Sequence, residues 1–322
     1  MADDIMADAG PSAPDDIVAL SGGNALGAFH GGVVEAFLDH GILPQHVAGT
    51  SIGAVTAALW LGGPVDGAVD RLRAFWQAAA DKSGFGLTTT WRKSALTRAL
   101  LLGRAGLFHP SFPGFLAALP GAPADDHLFD TRPMHRLLER LVDVDALNAS
   151  PTRVTMLSLD QSSGEVLTFD NRSIDLTIDH VLASSSLPLA FPPVLIDGRP
   201  MVDAGLSENC PVRRLFDHPI TRPTRCWVAD LWPARAPRAS SLDEVLGRTQ
   251  DLAFAAQRQW ALEHVRTLLD RADANTGPVE FRELILNQTD WEVGGKAFDY
   301  TPASLQRRWA AGRTAVAMAL AA

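Results

Sequence analysis

Cysteine is scarce in this 322-residue chain: only Cys210 and Cys226 occur, and neither has a partner Cys or His at zinc-finger spacing. That usage excludes a disulfide framework, argues against a structural zinc site and fits a reducing compartment, with both thiols acting as small buried hydrophobes. Long apolar runs are also lacking. No window approaches the ~20 consecutive apolar residues of a membrane-spanning helix, so the chain is expected to be soluble or at most bound to a membrane surface. Basic charge is in deficit, with 28 Lys and Arg against 37 Asp and Glu and a formal net charge of −9. Nucleic acid is therefore disfavoured as a partner, as is a general affinity for anionic membranes. The start of the chain lacks a basic, apolar leader. Asp3, Asp4, Asp8, Asp15 and Asp16 instead make residues 1–16 read as a short disordered acidic tail of a cytoplasmic protein. No internal repeat of ~20–50 residues appears, which disfavours solenoids and propellers.

What is present is a 47% hydrophobic composition, ample for a large α/β core. Ile17 to Leu20 reads as a buried strand, Ser21-Gly22-Gly23 as a tight loop, and Gly27 to His40 as a helix stopped by Gly41. The pattern repeats at once, with Gln45 to Ala48 extended, Gly49 to Gly53 a turn and Ala54 to Leu61 helical. Two βα units in tandem imply a parallel sheet. Residues 82–130 lose periodicity and read as an irregular insertion over that sheet. Arg153 to Leu159 and Glu165 to Phe169 form a hairpin around Ser162-Ser163-Gly164, and Ile174 to Ser184 reads as a helix. Val194 to Val202 forms a second hairpin about Asp197-Gly198, with Asp203 directly after it. Cys226 to Leu231 reads as a buried strand, Leu242 to Leu269 as one or two helices, Phe281 to Leu286 as an edge strand and Ser304 to Leu320 as a terminal helix.

Gly49-Thr50-Ser51-Ile52-Gly53 is a G-x-S-x-G string between strand and helix, the context in which its glycines permit a sharp turn that lifts the serine hydroxyl clear. The helix N-terminus there favours developing negative charge. Gly22, Gly23 and Asn24 close the preceding strand, and in a parallel sheet they face the serine at the same sheet edge. Their N–H groups can converge as an oxyanion hole. A dinucleotide loop competes for the same residues, but it wants a third glycine where Asn24 stands and an acid at the end of the next strand, which ends instead in Gly49-Thr50-Ser51. The serine needs a base. His218 and His264 could complete a histidine triad, yet only one strand fits ahead of Ser51, too few for an α/β-hydrolase sheet. Asp203 could accept the proton, or could simply cap a turn. Trp91, Phe108, Phe112, Phe115 and Leu116 either shape an apolar entrance for an acyl chain or cover the sheet.

Together, Leu20 to Gly27, Gly49 to Gly53 and Asp203-Ala204-Gly205 resemble the three signature blocks of patatin-like phospholipases, in order and in spacing. Ser184 to Pro188 and Phe191-Pro192-Pro193 resemble the segment ahead of that family's aspartate. The resemblance implies a three-layer α/β/α sandwich with a mainly parallel central sheet. It implies a Ser-Asp dyad of Ser51 and Asp203 without a histidine, an oxyanion hole at Gly22, Gly23 and Asn24, and supporting turns at Gly27, Gly49, Gly53 and Gly205. The catalytic domain is expected over 17–215, with 216–322 an extension that completes the same globule and is similar to that of a bacterial subgroup. The implied function is an acyl-ester hydrolase acting on a lipid or other acyl ester, with transient contact to a membrane surface and no metal or organic cofactor. Two departures stand out: Asn24 replaces the third glycine of the loop, and Ala204 the middle glycine of the aspartate block. Leu26 stands where a cationic residue is frequent, which weakens the expectation of a phospholipid head group. A thioesterase, a transacylase, a hydrolase of hydroxyacyl oligomers and an inactive binding module remain alternatives on the same blocks.

Overall fold

The computed structural model describes residues 14–81, 97–99, 101–272, 276–287 and 292–322. The chain opens with β1 (Asp15–Leu20), α1 (Ala28–Asp39), β2 (His46–Thr50), α2 (Ile52–Leu61) and α3 (Ala68–Ala79). A small pair follows, β3 (His109–Pro110) with β4 (Phe129–Asp130), then α4 (Arg132–Leu141) and α5 (Val144–Ala149). Next come β5 (Arg153–Asp160), β6 (Val166–Asp170), α6 (Ile178–Ser185), β7 (Val194–Ile196) and β8 (Arg199–Asp203). The chain ends with β9 (Thr224–Asp230), α7 (Leu242–Asp270), β10 (Val279–Ile285) and α8 (Pro302–Ala321). The expected hairpins, helices and edge strand are thus found, and 242–270 is one helix rather than two.

The main sheet has eight strands in the order β10-β9-β1-β2-β5-β8-β7, with β6 also paired to β5. Its centre is parallel, and β6, β7 and β8 run antiparallel to their neighbours. Side chains on successive residues leave opposite faces of a strand, and the core divides accordingly. Val18, Leu20, Val47, Trp227 and Ala229 join the cluster under α1, α2 and α8. Ile17, Ala19, Ala48, Cys226 and Val228 join the cluster under α7. The mixed α/β architecture is therefore helix, sheet, helix, as expected. Cys210 and Cys226 are buried and free. No helix among the described residues is long and apolar enough to cross a membrane.

One boundary and two helices differ from the sequence reading. Asp15 and Asp16, expected in the disordered tail, begin β1 instead. Asp16 is held there by Arg225 at 2.9 Å and by the Trp227 indole at 2.7 Å; the rest of the expected tail lies outside the described residues. No element is expected over Ala68–Ala79 or Arg132–Leu141, yet both are helices. In the first, Leu72, Phe75, Trp76 and Ala79 are buried at the helical spacing i, i+3, i+4, i+7.

The register around β5 positions the site. β2 pairs with residues 153–157 of β5, β6 with 155–159 and β8 with 158–160. A strand has two edges. The overlaps put β6 on one and leave β2 and β8 to share the other, end to end. Thr50 lies opposite Leu157 and Asp203 opposite the next residue, Ser158, so the ends of β2 and β8 meet.

Helix α8 packs on α1 at very short range, because a Cβ on Gly312 would lie 2.1 Å from the Phe29 carbonyl oxygen. Backbone cannot yield as a flexible side chain can. Gly312→Ala is expected to destabilise the fold by ~1–3 kcal/mol, read as a lower urea midpoint with an unchanged slope.

Candidate active site

Ser51 is the residue between β2 and α2, with φ 57° and ψ −124°. A non-glycine residue there stores backbone strain of order ~1–3 kcal/mol, so its surroundings must fix it. They do so through close approach: a Cβ on Gly53 would lie 2.1 Å from the Leu20 carbonyl oxygen, and one on Gly22 would lie 3.0 Å from Ser51 Cβ. The Ser51 N–H donates to the Ser184 hydroxyl at 3.0 Å, and Ser184 is fully buried. A Cβ on Gly49, the next-to-last residue of β2, would lie 2.5 Å from the Gly53 carbonyl carbon, and Gly27 packs against Ile52 beside it.

Asp203 closes β8 and caps the short turn Ala204–Leu206, accepting the Gly205 N–H at 2.7 Å. Cap and site residue are here the same side chain. Asp203 is 5% exposed. Burial pushes its carboxyl up to about 6, against the opposing pull of hydrogen bonds from the Ser51 side chain and the Gly205 N–H. Ser51 and Asp203 line one cavity of about 200 Å³. Its walls are largely apolar, with Phe75 and Trp76 from α3, Phe108, Met134 from α4, and Phe191. No histidine is among the described residues lining it; His218 lines a different cleft, beside Arg153 and Asp170.

The glycine-rich loop arrives at the same cavity, but not all of it is free. The Gly22 N–H, expected as an oxyanion donor, donates to the Asn209 carbonyl at 2.9 Å. The Gly22 carbonyl in turn accepts from Trp232 at 2.7 Å and from the Asn209 amide at 3.2 Å. Gly22 is thus a clamp, and the correction leaves the N–H groups of Gly23 and Asn24, which have no acceptor among the described residues. Both residues line the cavity. Asn24 has φ 54°, the left-handed region that glycine favours and asparagine tolerates. Ala204 is fully buried beneath the site.

Of the aromatic residues considered for an entrance, Phe108 lines the cavity and is buried. Phe112 is 84% exposed, and Phe115 and Leu116 are 49% exposed, all three off the cavity wall; Trp91 lies outside the described residues. The sequence reading does not place Phe75, Trp76, Met134 or Trp232 at the site, the first three on helices detectable by their periodicity, and it gives Tyr300 only to the C-terminal extension, within Phe298-Asp299-Tyr300. Among the described residues, three potential metal ligands come together only at Asp125, Asp126 and His127. Asp125 is already committed to the Gly114 N–H at 2.9 Å, and the cluster does not line the cavity.

A family model described as patatin-like phospholipase matches residues 18–216. The chain is 24% identical over 264 residues to an uncharacterized NTE family protein of Mycobacterium tuberculosis, covering 81% of this chain and 62% of that one. A shorter stretch of 40 residues is 52% identical to the triacylglycerol lipase SDP1L of Arabidopsis thaliana, 12% of this chain and 5% of that protein. The chain therefore spans less than two thirds of these relatives. Among solved structures, VipD from Legionella pneumophila is similar with a TM-score of 0.47 at 17% identity, over 95% of this chain and 66% of that one. The type III effector ExoU is similar with a TM-score of 0.41 at 20% identity, over 96% and 53%.

The raised carboxyl of Asp203 has a consequence for stability. Its folded value of about 6 exceeds its ordinary 3.8, so its ionisation opposes folding. The stability of the neutral form is complete below about 3.8 and is lost as pH rises through about 6. Asp203→Asn, which keeps an acceptor for Gly205, is expected to be more stable than wild type by ~1–3 kcal/mol above that window. The difference should vanish at pH values below it, as checked by urea unfolding across pH.

Proposed function

The chain belongs to the patatin-like phospholipase family, and from that premise we propose that it is a serine acyl-ester hydrolase with Ser51 as nucleophile and Asp203 as its base. One observation carries the reading: a strained, half-buried serine is hydrogen-bonded to a buried carboxyl, and both line a largely apolar cavity. Asp203 takes the Ser51 proton as the hydroxyl oxygen attacks the ester carbonyl. The negative charge that forms on the carbonyl oxygen lies beside the N–H groups of Gly23 and Asn24 and the N-terminus of α2. Collapse of that intermediate breaks the bond to the alcohol, which leaves with the proton from Asp203. Water, deprotonated by Asp203, then releases the acid and restores the serine.

The cavity bears on the substrate. At about 200 Å³ it is smaller than the ~300–1,000 Å³ of sites that enclose a drug-sized ligand. It suits a single acyl chain, with the alcohol part of the ester left outside. The apolar wall and polar floor suit a lipid acyl ester, and the same geometry would accept a simple chromogenic ester.

Because the base acts only when ionised, kcat/KM for a medium-chain p-nitrophenyl ester is expected to rise with pH and level off above about 6. Asp203→Asn is expected to lower kcat by ~10²–10⁴ in a protein at least as stable as wild type. A flat profile, or full activity in Asp203→Asn, would remove Asp203 from the mechanism.

A further inference from the structure

Tyr300 lies beyond the family-matched segment, directly ahead of α8, and is 1% exposed. Its hydroxyl donates to Asn24 Oδ1, a residue 276 positions earlier. A buried phenol hydroxyl needs an acceptor, and burial holds its pKa above the ordinary value, so it stays a donor. Oδ1 is the one acceptor that a carboxamide offers. With Oδ1 turned to Tyr300, Nδ2 takes the opposite edge of the planar amide, and no described residue accepts its N–H bonds. Asn24 and Tyr300 both line the cavity that holds Ser51 and Asp203.

The frame that holds Tyr300 is stiff. Its carbonyl accepts the Asp81 N–H at 2.9 Å, and its ring lies 6.4 Å from that of Phe108. Asp299 beside it accepts from Thr301 and Ser304 at the head of α8. Fully buried Arg308 ties the same segment to the loop, donating to the Ala25 carbonyl at 3.2 Å and the Asp299 carbonyl at 2.8 Å, and pairing with Glu292 at 2.6 Å. Loop and C-terminal segment thus behave as one body at Asn24.

We infer that the Asn24 carboxamide is a third donor to the oxyanion formed at Ser51, and that Tyr300 is the positioning residue that turns its N–H bonds into the cavity. The inference rests on Ser51 as nucleophile. It gives the residue that departs from the glycine of the family's loop a role, and it makes the C-terminal segment part of the catalytic apparatus.

The test is a double-mutant cycle with Asn24→Gly, which suits the backbone angle, and Tyr300→Phe, which removes one oxygen. Each variant is assayed for kcat and KM on a p-nitrophenyl ester, with thermal unfolding as a check on the fold. Asn24→Gly is expected to lower kcat by ~10²-fold, and Tyr300→Phe by ~10-fold, with KM changed less than ~2-fold. In the Asn24→Gly background Tyr300→Phe should have no further effect. An Asn24→Gly protein with wild-type kcat overturns the donor role. A Tyr300→Phe effect that persists in full without the Asn24 side chain overturns the positioning role. Turnover that survives Ser51→Ala overturns instead the reading beneath both.

Discussion

Two strands laid end to end on one edge of β5 set the geometry on which the site depends. β2 occupies that edge as far as Leu157, and β8 takes it up at Ser158 from the opposite direction. The residues that leave the two strand ends are Ser51 and Asp203, so a serine and an aspartate far apart in sequence are delivered to one point by backbone hydrogen bonds. Side-chain flexibility has little part in it. The glycines of the elbow and loop then let neighbouring backbones close to contact, and α2 starts with its N-terminus at the serine.

The arrangement is held at a local cost in stability. Ser51 sits at positive φ, and Asp203 is a buried carboxyl whose ionisation opposes folding. Both are tolerated because their surroundings are rigid: Ser184 accepts the serine N–H, Asn209 and Trp232 hold Gly22, and Gly205 donates to Asp203. β9 and β10, both beyond the family-matched segment, widen the sheet on the far side of β1, and α8 packs on the helix that follows the glycine loop. The C-terminal third therefore supports the site from two directions, through the sheet and through Asn24.

Most of the fold could be read from the sequence because its signals are local. The apolar run Ile17 to Leu20, the Asp197-Gly198 turn and the glycines about Ser51 each act within a few residues, and each leads to an element the structure contains. The pairing of Ser51 with Asp203 was legible only through the resemblance of three separated blocks, since Asp203 alone reads equally well as a turn cap, which it also is. Long-range contacts were not legible. Gly22 carries every mark of an oxyanion donor in sequence, and only the fold brings the Asn209 carbonyl onto its N–H. In sequence Tyr300 is marked only as part of the extension similar to that of a bacterial subgroup, because its meaning at the site lies in a partner 276 residues away.

The most direct measurement is to label the folded protein with a fluorophosphonate and map the adduct by mass spectrometry after digestion, beside Ser51→Ala. Phosphonylation confined to the peptide bearing Ser51, and absent from the variant, is the expected result. An adduct on another residue, or folded wild-type protein that takes no label, would contradict Ser51 as the nucleophile.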